Sequence, residues 1–498
     1  MASWCAENLR DCQAWKDEGL TMSTTSNEAS RLFDGLLRQY VSWSNCEQLD
    51  GIDNTINALQ KADPDASIGE QKTPSWCNVQ LELNDWYPEC ADACVMGRVL
   101  ILGLDAMGTS RSSRLDKQYA DEMTKLLNDA NRIGNQREKS HAKAINLFAN
   151  DQMIAACQEW ENILRETPND LLALKFAHDA YFYLGDSLSI KDSVGRVLPS
   201  WNVSTPCYSY LHGMYAFGLE ECKEYDKAEN EALKGLELRR EDAWATHARA
   251  HCMEMNGRFN EGIAFMESTM DDWNRSSMLA CHNYWHTALF YLEREDYDTV
   301  LSYYDSEIGV LSKSGAMLDL VDAASILFRL HMEGVDVSNR WNALLPIAQS
   351  HMDDHILAFN DAHFRLITEG CGIDTIRQQH RKSIRGFIST GTGDNCRITR
   401  QIGETVCEAI SAYWANDFDA VISRLAPIRK KICEIGGSNA QRDIFTQILI
   451  NSCLRSSNEN NNRLAKVFIE ERFNEKKNSL ISERLMARFK ALNIGDKK

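Results

Sequence analysis

Proline is scarce, with eight residues in a chain of 498. Because proline breaks helices and removes ladder donors, its scarcity favours long uninterrupted helices. No segment of useful length alternates with the two-residue period of a strand, which argues against a sheet-based fold. Basic charge is also short: 54 lysines and arginines stand against 72 aspartates and glutamates, a net charge of −18. That balance disfavours nucleic acid and anionic membranes as partners. The most apolar stretch, VMGRVLILGLDAMG, is interrupted by Arg98 and is too short to span a bilayer. The N-terminal stretch carries Glu7, Arg10, Asp11, Lys16, Asp17 and Glu18 without an apolar core, so no secretory signal is expected. NIGDKK at the other end matches no retention or peroxisomal address. The expectation is a cytoplasmic protein whose 16 cysteines are reduced and serve mostly as small core residues.

Hydrophobic residues make up 44% of the chain, enough to build a core. Their arrangement is repetitive. EECKEYDKAENEALKGLEL, MEMNGRFNEGIAFMEST and EREDYDTVLSYYDSE share the shape of a helical hairpin, with Tyr225, Phe259 and Tyr297 before the second helix. Tetratricopeptide units are hairpins of 34 residues with a small residue where the two helices touch. Ala144, His178, Ala216, Ala250 and Ala288 take that eighth position, at spacings of 34, 38, 34 and 38. A four-residue insertion adds about one helical turn, which a loop or a longer helix can absorb. His178 departs from the pattern, and Ala177 beside it can do the packing. A further hairpin is expected around Ala409 and Phe418.

The fold expected is therefore all-α: a solenoid of tetratricopeptide-like hairpins over 136–310 with additional helices at both ends. Residues 1–135 form an N-terminal helical region with a loop insertion near 62–92, and 311–498 form a C-terminal helical region. Cys90 and Cys94 have helical spacing and could chelate with Cys77, but separate thiols are the plainer reading. GTGDN at 391–395 lacks a preceding strand and a Walker lysine, so it reads as a turn. No Ser-His-Asp or Cys-His order stands out.

Several long phrases carry a resemblance over almost the whole chain: STTSNEA from Ser23, ALKFAHDAYFYLG from Ala173, MLACHNYWH from Met278, FNDAHF from Phe359 and GGSNAQRD from Gly436. By these the chain resembles the tetratricopeptide repeat protein 38 family. The resemblance implies an all-α, repeat-containing intracellular protein and little biochemistry. The stretch from Thr73 to Cys90 looks like an insertion relative to that pattern.

Four of the 12 histidines fall within HARAHCMEM (His247, His251) and CHNYWH (His282, His286). In repeat numbering, the resemblance places positions 2, 5, 9 and 12 of each first helix on the concave groove. His247, His251 and Glu254 then occupy positions 5, 9 and 12, on one helical face. On the neighbouring helix His282 and Trp285 take positions 2 and 5, with His286 at position 6. Tetratricopeptide carboxylate clamps place lysine, asparagine and arginine at such positions. Neutral imidazole suits a transition metal better than a carboxylate.

Three readings stay open. The histidines could bind a divalent metal such as zinc, with Glu254 as ligand or catalytic base. They could recognise a polar ligand or a protein or peptide, with Trp285, Asp361 and His363 contributing if the C-terminal helices fold back. They could be packing residues with satisfied nitrogens. The function expected is binding in a histidine-lined groove; the alternative is a metal-dependent enzyme, such as a hydrolase.

Overall fold

The computed structural model describes residues 3–62, 94–277 and 279–492. Cys77, Cys90 and almost all of the expected insertion lie outside the described residues. Among the described residues the fold is all-α, and the only strand-like feature is an isolated bridge between Ser44 and Ser276. Helical hairpins stack side by side into a tetratricopeptide-like solenoid.

The hairpins start where the repeat spacing puts them. Tyr225, Phe259 and Tyr297 are the first residues of the second helices Tyr225–Leu238, Phe259–Ser268 and Tyr297–Tyr303. Ala144, Ala216, Ala250 and Ala288 are fully buried between helices, where a larger side chain would force them apart. Both four-residue insertions are taken up between hairpins. One becomes the turn Leu198–Ser200 with the loop after it, and the other the short helix Met270–Trp273. The further hairpin is Glu404–Trp414 with Phe418–Ile428.

Local chemistry sets the helix starts. Asp170 and Asp242 cap Leu171–Leu184 and Ala243–Met255 by accepting from Ala173 N and Ala245 N at 3.1 and 3.0 Å. Such caps each stabilise a helix by about 1 kcal/mol. Cys94 caps Val95–Met107 through its sulfur, 3.3 Å from Gly97 N.

The inner face of the solenoid is covered. After Phe418–Ile428 the chain makes the turn Ile432–Ile435 against Leu171–Leu184 and then crosses inward. Gly436 and Gly437 make this crossing possible. Both have positive φ (+95° and +79°), and a Cβ would lie 2.6 Å from Tyr183 O at Gly436 and 2.5 Å from the Phe359 ring at Gly437. Helix Asn439–Arg455 follows, fixed by a capping box between Ser438 and Gln441. It packs against Ala243–Met255 and Met317–Met332. From the other side, Asn27–Ser42 sends Tyr40 Oη to Asp179 at 2.5 Å.

Candidate functional site

Ala243–Met255 and Leu279–Glu293 are adjacent first helices, packed against each other. Each presents two histidines one turn apart. All six ring-centroid separations among His247, His251, His282 and His286 lie between 4.3 and 6.4 Å. One ligand nitrogen from each lies within 4.8 Å of all the others, and all four residues are buried.

Carboxylates stand behind the rings. Asp322 Oδ2 lies 2.6 Å from His282 Nδ1, and Glu254 Oε2 lies 2.9 Å from His286 Nδ1. Glu220 Oε2 is 3.5 Å from His251 Nδ1. A neutral imidazole that donates Nδ1–H to a carboxylate keeps its lone pair on Nε2. His286 Nε2 is buried with no hydrogen-bond partner, and the Nε2 atoms of His247 and His251 face each other at 2.9 Å. The His286 lone pair is thus free at the centre, and one of the facing Nε2 atoms of His247 and His251 donates to the other, a bond that a cation would replace.

Electrostatics favour that form. Burial pushes the His247 and His251 imidazoles well below their ordinary range, and neighbouring imidazoles push them further. Burial also lowers His286, more than its bond to Glu254 raises it. Burial would raise Glu254, but Lys476 and the imidazoles of His286 and His251 outweigh it and hold the carboxyl ionised. Lys476 Nζ reaches Glu254 Oε1 at 2.8 Å and Glu293 Oε1 at 3.2 Å.

The geometry suits a cation. A tetrahedral shell with bonds of about 2.0–2.1 Å separates its nitrogens by about 3.3–3.4 Å. The four nitrogens, all within 4.8 Å of one another and 2.9 Å apart between His247 and His251, bracket that spacing. An all-imidazole set suits zinc, iron, nickel or copper rather than calcium or magnesium. A second group, Glu220, Glu221 and His251, adjoins the first. Burial and the neighbouring carboxylates Glu221 and Glu254 push Glu220 well above the usual carboxylate range.

A partly enclosed cavity of about 90 Å³ opens beside His247 and His282. Its wall gathers phrases far apart in the chain: His178, Phe182 and Tyr183; His247; Leu279 and His282; Phe359 and Asn360; Gly437, Ser438 and Gln441. Four of the five phrases that carry the family resemblance meet here. STTSNEA does not; its Ser23 N binds Glu138 Oε1 at 2.8 Å and its Ser26 caps Asn27–Ser42. Gln441 links cap to site: its Nε2 reaches Asp322 Oδ1 at 3.2 Å, and Asp322 holds His282.

The remaining sequence candidates are placed elsewhere. Trp285 is buried behind the cluster, stacked on His282 at 5.2 Å, and is not in the cavity wall. Glu254 faces away from the cavity with both oxygens engaged, which suits orienting His286 better than acting as ligand or base. Asp361 and His363 do not join the cluster, because they sit on other faces of Ala358–Cys371. His363 Nδ1 bonds Phe359 O at 2.8 Å within its own helix. Asp361 binds His355 Nδ1 at 3.0 Å, and His355 Nε2 meets Ser383 Oγ at 2.9 Å. His141, also at position 5 of its unit, bonds Asp170 at 2.9 Å.

Sequence reasoning missed Asp322 and Lys476, which have no local motif, and gave Glu220 and Gln441 no role in the site although the phrases EECKEYDKAENEALKGLEL and GGSNAQRD contain them. Gln441 is 119 residues from Asp322, and Lys476 is 222 residues from Glu254. His178 carried a signal, as a misfit in the repeat pattern.

No family model matches the chain. Among solved structures, a Rap protein complexed with competence and sporulation factor aligns with 82% of this chain and 99% of its own, at 12% identity and a TM-score of 0.43. The human IFIT1 dimer with m7Gppp-AAAA aligns with 99% of this chain and 100% of its own, at 11% identity and a TM-score of 0.35. No helix among the described residues is long and apolar enough to cross a membrane.

Proposed function

We propose that this chain is a helical-repeat protein that binds a small molecule at a divalent transition-metal ion held by His247, His251, His282 and His286. The observation that carries this reading is the convergence of four buried imidazoles, two of which, His282 and His286, are held by carboxylates on their outer nitrogens. Histidine ligands are ordinarily oriented in that way, whereas packing histidines turn their nitrogens toward separate partners. A cavity of about 90 Å³ suits a small molecule rather than an extended peptide, and the net charge of −18 supports a ligand other than nucleic acid. The meeting of four family phrases in one wall supports a kinship with the tetratricopeptide repeat protein 38 family. The buried thiols agree with a cytosolic setting.

A second reading, metal-dependent catalysis, is favoured by one feature. His247 and His282 belong to both the cluster and the cavity wall, so a ligand would lie against the ion. Catalysis would require a coordination position beyond the four imidazoles or the release of one of them; an ion with such a position would act as a Lewis acid or lower the pKa of a bound water.

Elemental analysis of protein purified without chelator or nickel resin tests the reading. The expected result is about one equivalent of metal, lost in a folded His247→Ala/His251→Ala variant. Absence of metal, with no thermal shift on adding zinc, iron, nickel or copper, would overturn it.

A further inference from the structure

His178 occupies a position where the repeat calls for a small residue. Ala177, fully buried, takes the inter-helix packing, and the imidazole points into the cavity wall. The residue is 1% exposed, and neither ring nitrogen has a hydrogen-bond partner. Burying an unpaired N–H and lone pair is costly, so the ring lacks a partner that the fold itself does not supply. Burial keeps it neutral by lowering its pKa to about 4.

The surroundings specify that partner. The ring stacks near Phe217 at 6.0 Å and lies 5.7 Å from Trp244. Trp43, Phe182 and Phe359 complete an aromatic wall. No uncommitted charge lies at this end. Asp179 is held by Lys175 Nζ at 2.6 Å and by Tyr40 Oη at 2.5 Å, which consumes both signs. At about 90 Å³ the space is smaller than the roughly 150 Å³ cavity that admits benzene but is partly open, so it takes one small ring at most. A neutral imidazole has one donor and one acceptor, matching a hydroxyl that accepts and donates.

We infer that His178 is the recognition residue for the hydroxyl of a small, neutral, phenol-like ligand whose ring lies against Phe217, Trp244 and Phe359. This rests on the reading of the cavity as a small-molecule site, and not on the metal.

Calorimetry on the full chain with phenol and toluene isolates the hydroxyl, since the two differ little in shape. Titrations run before and after chelator treatment, with metal content measured on the same samples. The expected result is phenol bound about tenfold more tightly than toluene in both states. His178→Ala, which restores the ordinary repeat residue, and His178→Phe are each expected to erase that preference while circular dichroism is unchanged. Two variants keep the test open should the bulkier one fail to fold. Equal binding of the two probes, binding of neither, or a preference that survives His178→Ala would overturn the inference. Protein that carries no metal as purified and still prefers phenol would overturn only the metal reading. Metal-loaded protein without the preference would overturn only the role of His178.

Discussion

Among the described residues, two of the buried imidazole–carboxylate clusters are wired in opposite senses. In the first, carboxylates lie outside and imidazole nitrogens meet at the centre. In the second, Asp361 lies at the centre, with His355 Nδ1 at 3.0 Å and His380 Nε2 at 3.9 Å. His355 is lowered by burial, but Asp361 outweighs this and raises it above its ordinary value. Its Nε2 then meets Ser383, whose Oγ donates onward to Asp353. Although Asp361, His355 and Ser383 line up as a hydrolase triad does, the serine proton is directed at Asp353 and the imidazole favours its charged form. Residue inventory alone would rank the two clusters alike. The direction of the nitrogens separates a candidate cation site from a network centred on a carboxylate.

That contrast is open to direct attack. The largest expected difference is in metal content. His355→Ala/His380→Ala should leave the stoichiometry unchanged where His247→Ala/His251→Ala abolishes it; equal loss in both, measured by elemental analysis, would erase the distinction. Next comes Lys476→Met, which leaves Glu254 and Glu293 buried without their cation. Urea denaturation should show a loss of about 3–5 kcal/mol; a change under about 1 kcal/mol would mean that Glu254 does not depend on Lys476 as drawn.

Asp322→Asn is expected to weaken zinc binding about 10–100-fold in competition with a chromogenic chelator, because it loosens the orientation of His282. Asp361→Asn, the matching change in the other cluster, should leave zinc affinity unaltered.

The smallest effect per group is in pH dependence. His178, His363 and His380 are each depressed to about 4, and His247, His251 and His286 are depressed too. Unfolded histidine titrates near 6.5, so the unfolded state binds more protons between that value and the folded ones. Metal-free protein should therefore lose stability as pH falls from about 6.5 toward 4, by up to about 1.4 kcal/mol per pH unit for each histidine. His355 runs the other way: its raised pKa adds stability below about 6.5 that disappears as pH rises through the folded value. A thermal melt series that is flat over pH 4–6.5 would contradict the burial assigned to the first six.

The regular parts of this architecture were readable because they are local. Tyr225, Phe259 and Tyr297 mark second helices through contacts within one hairpin, and the i, i+4 spacing of His247 and His251 fixes a shared face. The meeting of those two with His282 and His286 also followed, since adjacent repeats place equivalent positions side by side. Asp361 and His363 could not be assigned in the same way. Their helix lies outside the register-matched repeats, so its rotation depends on packing that no spacing encodes. The covering of the inner face was equally hidden, because it depends on Gly436 and Gly437 passing close to Tyr183 and Phe359.

Lys476 follows Glu254 by 222 residues. At ribosomal rates of about 5–20 residues per second, that interval takes about 10–45 s. Until its end the histidine-bearing repeats exist without Lys476 beside Glu254, and for most of it without the finished helix Asn439–Arg455 above them. The chamber is thus built in the order of a vessel and then its cover, and its interior stands open to the surrounding solution for a large share, though under half, of the time the chain takes to be made.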